Sequence, residues 1–175
     1  MALERGCVQV YTGNGKGKTT AALGLALRAV GRNLKVCVLQ FIKGSGRYGE
    51  HLAAEKLAPL LTIIQTGRPG WVNTTDITED RKVAQEALVQ AEQLLKSGEY
   101  DIFICDEING AVGFGLIDVE QVLELIRQKP EKVELVLTGR NAHPLVIEAA
   151  DLVTERCEIK HYYKAGIPAR TGIEM

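Results

Sequence analysis

A mostly parallel β-sheet covered by helices on both faces is the architecture that this sequence of 175 residues predicts, and three observations lead to it. Apolar runs of strand length alternate with segments of helical periodicity, the pattern of an α/β fold. Runs such as Lys35-Val36-Cys37-Val38-Leu39-Gln40-Phe41 and Ile102-Phe103-Ile104-Cys105 are nearly continuous in apolar residues, as expected of strands buried on both faces. The third is Thr12-Gly13-Asn14-Gly15-Lys16-Gly17-Lys18-Thr19-Thr20, which follows a short apolar run and precedes an alanine- and leucine-rich segment. Strand, glycine-rich turn and helix in that order make a phosphate-binding loop, so the expected fold is of the P-loop NTPase type.

Taken in order, Cys7 to Tyr11 is the first strand and Thr19 to Gly31 a helix ended by its glycine. Lys35 to Phe41 is the second strand, Gly49 to Leu57 a short helix stopped near Pro59, and Leu60 to Gln65 the third strand. Thr66 to Asn73, with Gly67, Pro69 and Gly70, reads as a loop. Thr78 to Lys96 is the clearest helix: Val83, Ala84, Ala87, Leu88, Ala91, Leu94 and Leu95 form one stripe at helical spacing, and Gly98 ends it. Tyr100 to Glu107 is an apolar strand finishing in two carboxylates. Val119 to Arg127 is helical, Val133 to Leu137 a strand, Pro144 to Ala150 helical and Leu152 to Cys157 a last strand. The tail from Ile159 to Met175 carries glycine and proline breakers and no clear period.

The length fits one domain over residues 1–175, large enough to bury roughly 70% of the surface of its unfolded chain. A net charge of −1 argues against general attraction to nucleic acid or membrane. The start, Met1 to Gly6, has no apolar h-region, and no later run approaches membrane-spanning length. Cys7, Cys37, Cys105 and Cys157 are far apart and fall mostly in predicted strands. They read as small buried residues in a reducing cytoplasm rather than as metal ligands.

The loop departs from the usual spacing. In G-x-x-x-x-G-K-[ST] the first glycine would fall at Thr12, but it comes at Gly13, so the loop is one residue shorter. Gly13, Asn14, Gly15, Lys16 and Gly17 can turn backbone N–H groups into one concavity, with the helix start behind Thr20 adding partial positive charge. Lys18 would reach the terminal phosphates, and the Thr19 hydroxyl would ligate Mg²⁺. Asp106 and Glu107, at the C-terminal end of a parallel strand, are the carboxylates placed to share that Mg²⁺; a solvated strand end is the plainer alternative. Lys16, Arg28 and Arg140 are further cations for a triphosphate, although Arg28 could be only a solvated helix charge. Trp71 is either a packing anchor or a face for a flat ligand, and His161 either surface or ligand contact.

These pieces resemble the P-loop corrinoid adenosyltransferases, enzymes acting on ATP and cob(I)alamin or cob(I)yrinic acid a,c-diamide. The matching residues are Gly13 to Ala22, Gln40-Phe41-Ile42-Lys43-Gly44, Asp106-Glu107, Leu137-Thr138-Gly139-Arg140, Lys160-His161, Ala165-Gly166 and Gly172-Ile173-Glu174. The short loop is itself characteristic of that family. The resemblance implies a RecA-like sheet, a homodimer, and transfer of the 5′-deoxyadenosyl group of ATP to cobalt with triphosphate leaving. It also implies an ATP whose triphosphate runs opposite to the usual direction. An N-terminal segment can cover the corrinoid in this family; only Met1 to Gly6 precede the first strand here, so no such lid is expected. The family keeps the lower ligand off cobalt with a phenylalanine and a tryptophan two residues apart. Trp71 takes the first place, and Asn73 falls at the second. His161 matches a position near the corrinoid, which makes residues 159–175 a corrinoid-side tail.

The expected mechanism is in-line attack of Co(I) on the ribose C5′, with Lys18, Glu107, Arg140 and Trp71 as the residues that carry it. Cobalt is the nucleophile, so neither a serine or cysteine nucleophile nor a general base is needed. No flavin or iron–sulfur motif is present in the sequence, so an external reductase such as a flavodoxin is an expected partner. Two other readings stay open from the residues alone: a P-loop ATPase or small-molecule kinase, and a nucleotide-dependent switch without chemistry of its own.

Overall fold

The computed structural model describes residues 3–44, 46–70 and 72–175, so Trp71 lies outside the described residues. Among the described residues six strands form one sheet: β1 (Val8–Thr12), β2 (Val36–Gln40), β3 (Leu61–Gln65), β4 (Ile102–Asp106), β5 (Glu134–Thr138) and β6 (Leu152–Glu155). Their order is β3-β2-β4-β5-β1-β6, and every pairing between them is parallel. The registers Gln40↔Asp106 and Tyr11↔Thr138 bring the carboxyl ends of the central strands to one edge of the sheet. Ligands bind at that edge in open parallel sheets.

Helices α1 (Lys18–Val30), α2 (Gly49–Leu57), α3 (Thr78–Lys96), α4 (Ile108–Gly113), α5 (Val119–Arg127) and α6 (Pro144–Ala149) connect the strands. Alternate strand residues feed two separate cores. On one face Ala22, Ala26 and Ala29 of α1 and Ala54 of α2 pack against Val36, Val38, Ile102, Ile104 and Val136. On the other, α3, α5 and α6 cover Cys37, Leu39, Phe103, Cys105, Leu135 and Leu137. Small alanines on α1 let its backbone approach the sheet closely, and this holds the helix start over the strand ends. β2 and β4 are buried at all positions, which explains their unbroken apolar sequences. The α3 stripe is as the periodicity predicts, with Ala84, Ala87, Leu88, Ala91 and Leu95 buried and Val83 and Leu94 half-buried.

Gly31 ends α1 as expected, in right-handed geometry (φ −61), and the left-handed residue of the turn that follows is Asn33 (φ 61). Three features differ from the sequence expectation. The chain after Asp106 forms the unforeseen helix α4, entered through Glu107 in a left-handed conformation (φ 64). Cys157 is exposed, because β6 is a solvent-facing edge strand and the chain leaves the sheet there; Cys37 and Cys105 are buried and Cys7 is half-buried. The tail contains one 3₁₀ turn, Tyr162–Ala165. Among the described residues no helix is long and apolar enough to cross a membrane.

Candidate active site

The loop between β1 and α1 is shaped by its glycines and by the chain leaving β6. Gly13 (φ 93) and Gly17 (φ 107) sit where L side chains are strained. A Cβ on Gly13 or Gly15 would also come within 2.5 or 2.7 Å of the Arg156 carbonyl oxygen. The Gly15 N–H donates to that carbonyl at 2.6 Å, so one amide of the loop is turned to the segment leaving β6 rather than into the concavity. Lys18 is buried and its ammonium donates to the Gly13 and Gly15 carbonyls at 2.8 and 2.9 Å. Burial holds its pKa below the ordinary lysine value; Glu107 opposes that shift and Arg140 adds to it.

Beside Lys18 lies a cluster centred on the fully buried Asp106. Its Oδ1 accepts from the Thr19 hydroxyl at 2.8 Å and from the Thr138 hydroxyl at 2.6 Å. Its Oδ2 accepts from the Lys43 ammonium at 2.6 Å and, at 3.5 Å, from the Gln40 amide. Desolvation would lower the Lys43 pKa, but Asp106 outweighs it and leaves the value raised. Glu107 donates its N–H to Thr138 Oγ1 at 3.0 Å, tying the entry of α4 to the end of β5. Burial, and then the neighbouring Asp106 charge, raise the Glu107 pKa, against Lys43, Lys18 and Arg140. Gly139 (φ 134) lets the two elements meet, since a Cβ there would lie 2.6 Å from the Gly110 nitrogen.

The donors gathered here are a hydroxyl and two carboxylates, all hard oxygens. Among the described residues no group of three or more His, Cys, Asp or Glu forms a metal cage. Mg²⁺ does not require one: it takes one or two carboxylates, a hydroxyl, waters and substrate phosphates. Thr19, Asp106 and Glu107 fit that requirement.

A cleft of about 920 Å³ opens over these groups, lined by Gly15 to Thr20 of the loop and by Lys43, Glu107, Arg140 and His161. Its far wall is the chain terminus, Gly172 to Met175. Glu174 there accepts from the Tyr162 hydroxyl and from the Arg170 guanidinium at 3.2 Å, and faces the Lys16 ammonium at 3.9 Å. These bonds, that of Arg170 foremost, hold its carboxyl down at about 2. Arg170 also lies 4.9 Å from the centre of the Tyr162 ring, and the His161 ring is 4.9 Å from the same ring. His161 Nδ1 accepts from the Tyr163 N–H at 3.1 Å.

Of the residues that the sequence singles out, the cleft brings together Gly15, Lys16, Gly17, Lys18, Thr19, Thr20, Glu107, Arg140 and His161, with Asp106 beneath Thr19. Gly13 shapes the loop from behind, and Asn14 is exposed on its outer side. Arg28 is not brought in. It stands exposed in the last turn of α1, about 15 Å along the helix from Lys18, and does not line the cleft. Asn73 is exposed and closes a local turn, its side-chain oxygen accepting from the Thr75 N–H at 3.1 Å. Lys43, Thr138 and Glu174 are parts of the site that residue-by-residue reading does not single out.

Comparison with known proteins agrees over nearly the whole chain. The family described as ATP:corrinoid adenosyltransferase BtuR/CobO/CobP matches residues 4–175. A corrinoid adenosyltransferase of Pseudomonas aeruginosa is 39% identical over 98% of this chain and 85% of its own. One of Escherichia coli is 37% identical over 98% of this chain and 86% of its own. Among solved structures, the flagellar accessory protein FlaH of Methanocaldococcus jannaschii superposes with a TM-score of 0.59, covering 87% of this chain and 72% of that one. At 12% identity, that likeness concerns the fold alone.

Proposed function

The chain belongs to the ATP:corrinoid adenosyltransferase family, and from that premise we propose how its cleft carries the transfer out. ATP lies with its triphosphate in the Gly13–Gly17 loop and its ribose C5′ turned toward a reduced corrinoid at the mouth. Cobalt, present as Co(I) in the substrate, attacks C5′ in line. The cobalt electron pair forms the Co–C bond, the C5′–O5′ bond breaks, and its pair leaves on the triphosphate oxygen. No proton moves, so no general base is required. The chain's work is to position C5′ and to meet the charge that develops on the leaving oxygen.

One observation carries this reading: Lys18, Thr19, Glu107 and Arg140 line a single cleft of about 920 Å³, at the upper end of the range of small-molecule sites. Lys18 and Arg140 meet phosphate charge. Thr19, Asp106 and Glu107 would hold Mg²⁺, whose chemistry there is charge neutralisation of bound phosphates. Residues 159–175 form the corrinoid side, a role supported by His161 and by the terminus on the cleft wall. Trp71 is assigned the exclusion of a fifth ligand from cobalt, as in the family pattern. The enzyme works as one domain in the cytoplasm, as a homodimer, and receives cobalt reduced by a separate reductase such as a flavodoxin.

An anaerobic incubation with Mg·ATP and chemically reduced cob(I)alamin tests this. A light-sensitive adenosylated corrinoid with one triphosphate per turnover is expected. Release of phosphate or ADP with an unchanged corrinoid spectrum would move the chain to γ-phosphate chemistry.

A further inference from the structure

We infer that Lys43 is a tethered internal cation: its ammonium holds the place of the divalent metal in the nucleotide-free enzyme and yields it only when metal arrives with phosphates. This rests on the reading of Thr19 and Asp106 as metal ligands.

The hydrogen-bonding capacity of Asp106 is used up. A carboxylate offers about four acceptor sites, and Asp106 meets four donors: the hydroxyls of Thr19 and Thr138 on Oδ1, and Lys43 and Gln40 on Oδ2. A metal bound to Asp106 must displace one of them, and Lys43 alone among the four carries positive charge. Its ammonium is 2.6 Å from Asp106 Oδ2 and 3.3 Å from Thr19 Oγ1. The Thr19 hydroxyl proton is committed to Asp106, so that oxygen turns its lone pairs to the ammonium. Lys43 therefore bridges the same two residues that the metal would bridge.

The backbone beneath Lys43 is fixed. Ile42, a β-branched residue, takes a left-handed φ of 48, a conformation that persists only where the surroundings enforce it. The enforcement is visible: the Gly67 N–H donates to the Lys43 carbonyl at 3.0 Å. A Cβ on Gly67 would come within 2.3 Å of the Lys43 nitrogen, and one on Gly44 within 1.7 Å of the Gly67 carbonyl oxygen. From that anchored point the flexible stem can swing into the cleft, which Lys43 already lines. A bare divalent cation meets a like charge at the site. With a triphosphate in the cleft, the ammonium gains an anionic partner as it gives up Asp106. Metal and nucleotide then bind with positive coupling, and each raises the affinity of the other.

The test is Mn²⁺ binding to the full chain, followed by electron paramagnetic resonance of the free ion, with and without ATP. Without ATP, wild type should take up little Mn²⁺, and Lys43→Met should gain one site about tenfold tighter or more. That site should vanish in Lys43→Met/Asp106→Asn, and Lys43→Arg should behave as wild type. With ATP, both wild type and Lys43→Met should bind Mn²⁺ at the protein. Equal uptake by wild type and Lys43→Met without ATP overturns the inference. So does one nucleotide-free site in wild type that Asp106→Asn removes, an outcome readable even if Lys43→Met fails to fold. A protein that binds ATP but holds no Mn²⁺ beside it would instead sink the reading of Thr19 and Asp106 as ligands, and the inference with it.

Discussion

Lys18 and Glu174 show how the same cleft sets opposite demands on single residues. Lys18 is buried, and among the described residues its hydrogen-bond partners are the Gly13 and Gly15 carbonyls, so its ammonium has much to gain from an arriving phosphate. Lys18→Ala should lower turnover of the reduced corrinoid about 10²-fold or more, the scale of losing one preorganised charge contact. Near-normal turnover would remove Lys18 from the mechanism. Glu174 is already satisfied, by Arg170 first and then by Tyr162. Its folded pKa is depressed, so its contribution to tail docking is complete above the ordinary carboxylate value of 4.5 and is lost as pH falls through about 2. A carboxyl ¹³C titration should find Glu174 still ionised after ordinary glutamates have protonated, with Arg170→Ala bringing it back toward them. An ordinary midpoint in the wild type would mean that the tail is not held this way.

At the scale of elements, the site depends on how β4, α4 and the end of β5 meet. The Gly139→Ala change places a side chain at φ 134 and 2.6 Å from the Gly110 nitrogen. It should destabilise the protein by about 1–3 kcal/mol in denaturant unfolding and also slow turnover by moving Glu107. Unchanged stability would show that α4 yields freely. The long elements were legible because burial imposes a period: the α3 stripe and the continuous apolar β2 and β4 follow directly from facing a core. Helix α4 was not. It is short, carries Gly110 and Gly113, and begins at a left-handed Glu107 that no local pattern announces. Arg28 shows the same limit: residue type suggested a phosphate contact, but Arg28 does not line the cleft although its neighbour Leu27 does, and which helix face meets the cleft is not written in residue type.

For the whole molecule, alternation of strands and helices announced a parallel sheet but not the order of its strands. That order, β3-β2-β4-β5-β1-β6, places β2 beside β4. Only this pairing, with Gln40 opposite Asp106, brings Lys43 across to the carboxylate. The role of Lys43 was therefore beyond any local reading, although its segment matched the family. The loop between β1 and α1 was legible because its glycines and lysine fall at a set spacing within one turn. Likewise the tail showed no period, since Tyr162, Arg170 and Glu174 are joined by side-chain bonds and not by a buried face.

The central claim is that the bond broken is C5′–O5′ and not a bond to phosphorus. ATP carrying ¹⁸O at the 5′ oxygen that bridges ribose and the α-phosphate tests it in a single anaerobic turnover with cob(I)alamin. Attack at C5′ predicts that all of the label leaves in triphosphate and that none stays on the adenosyl group. Label retained on an adenosine-containing product, with phosphate or pyrophosphate released, would contradict it.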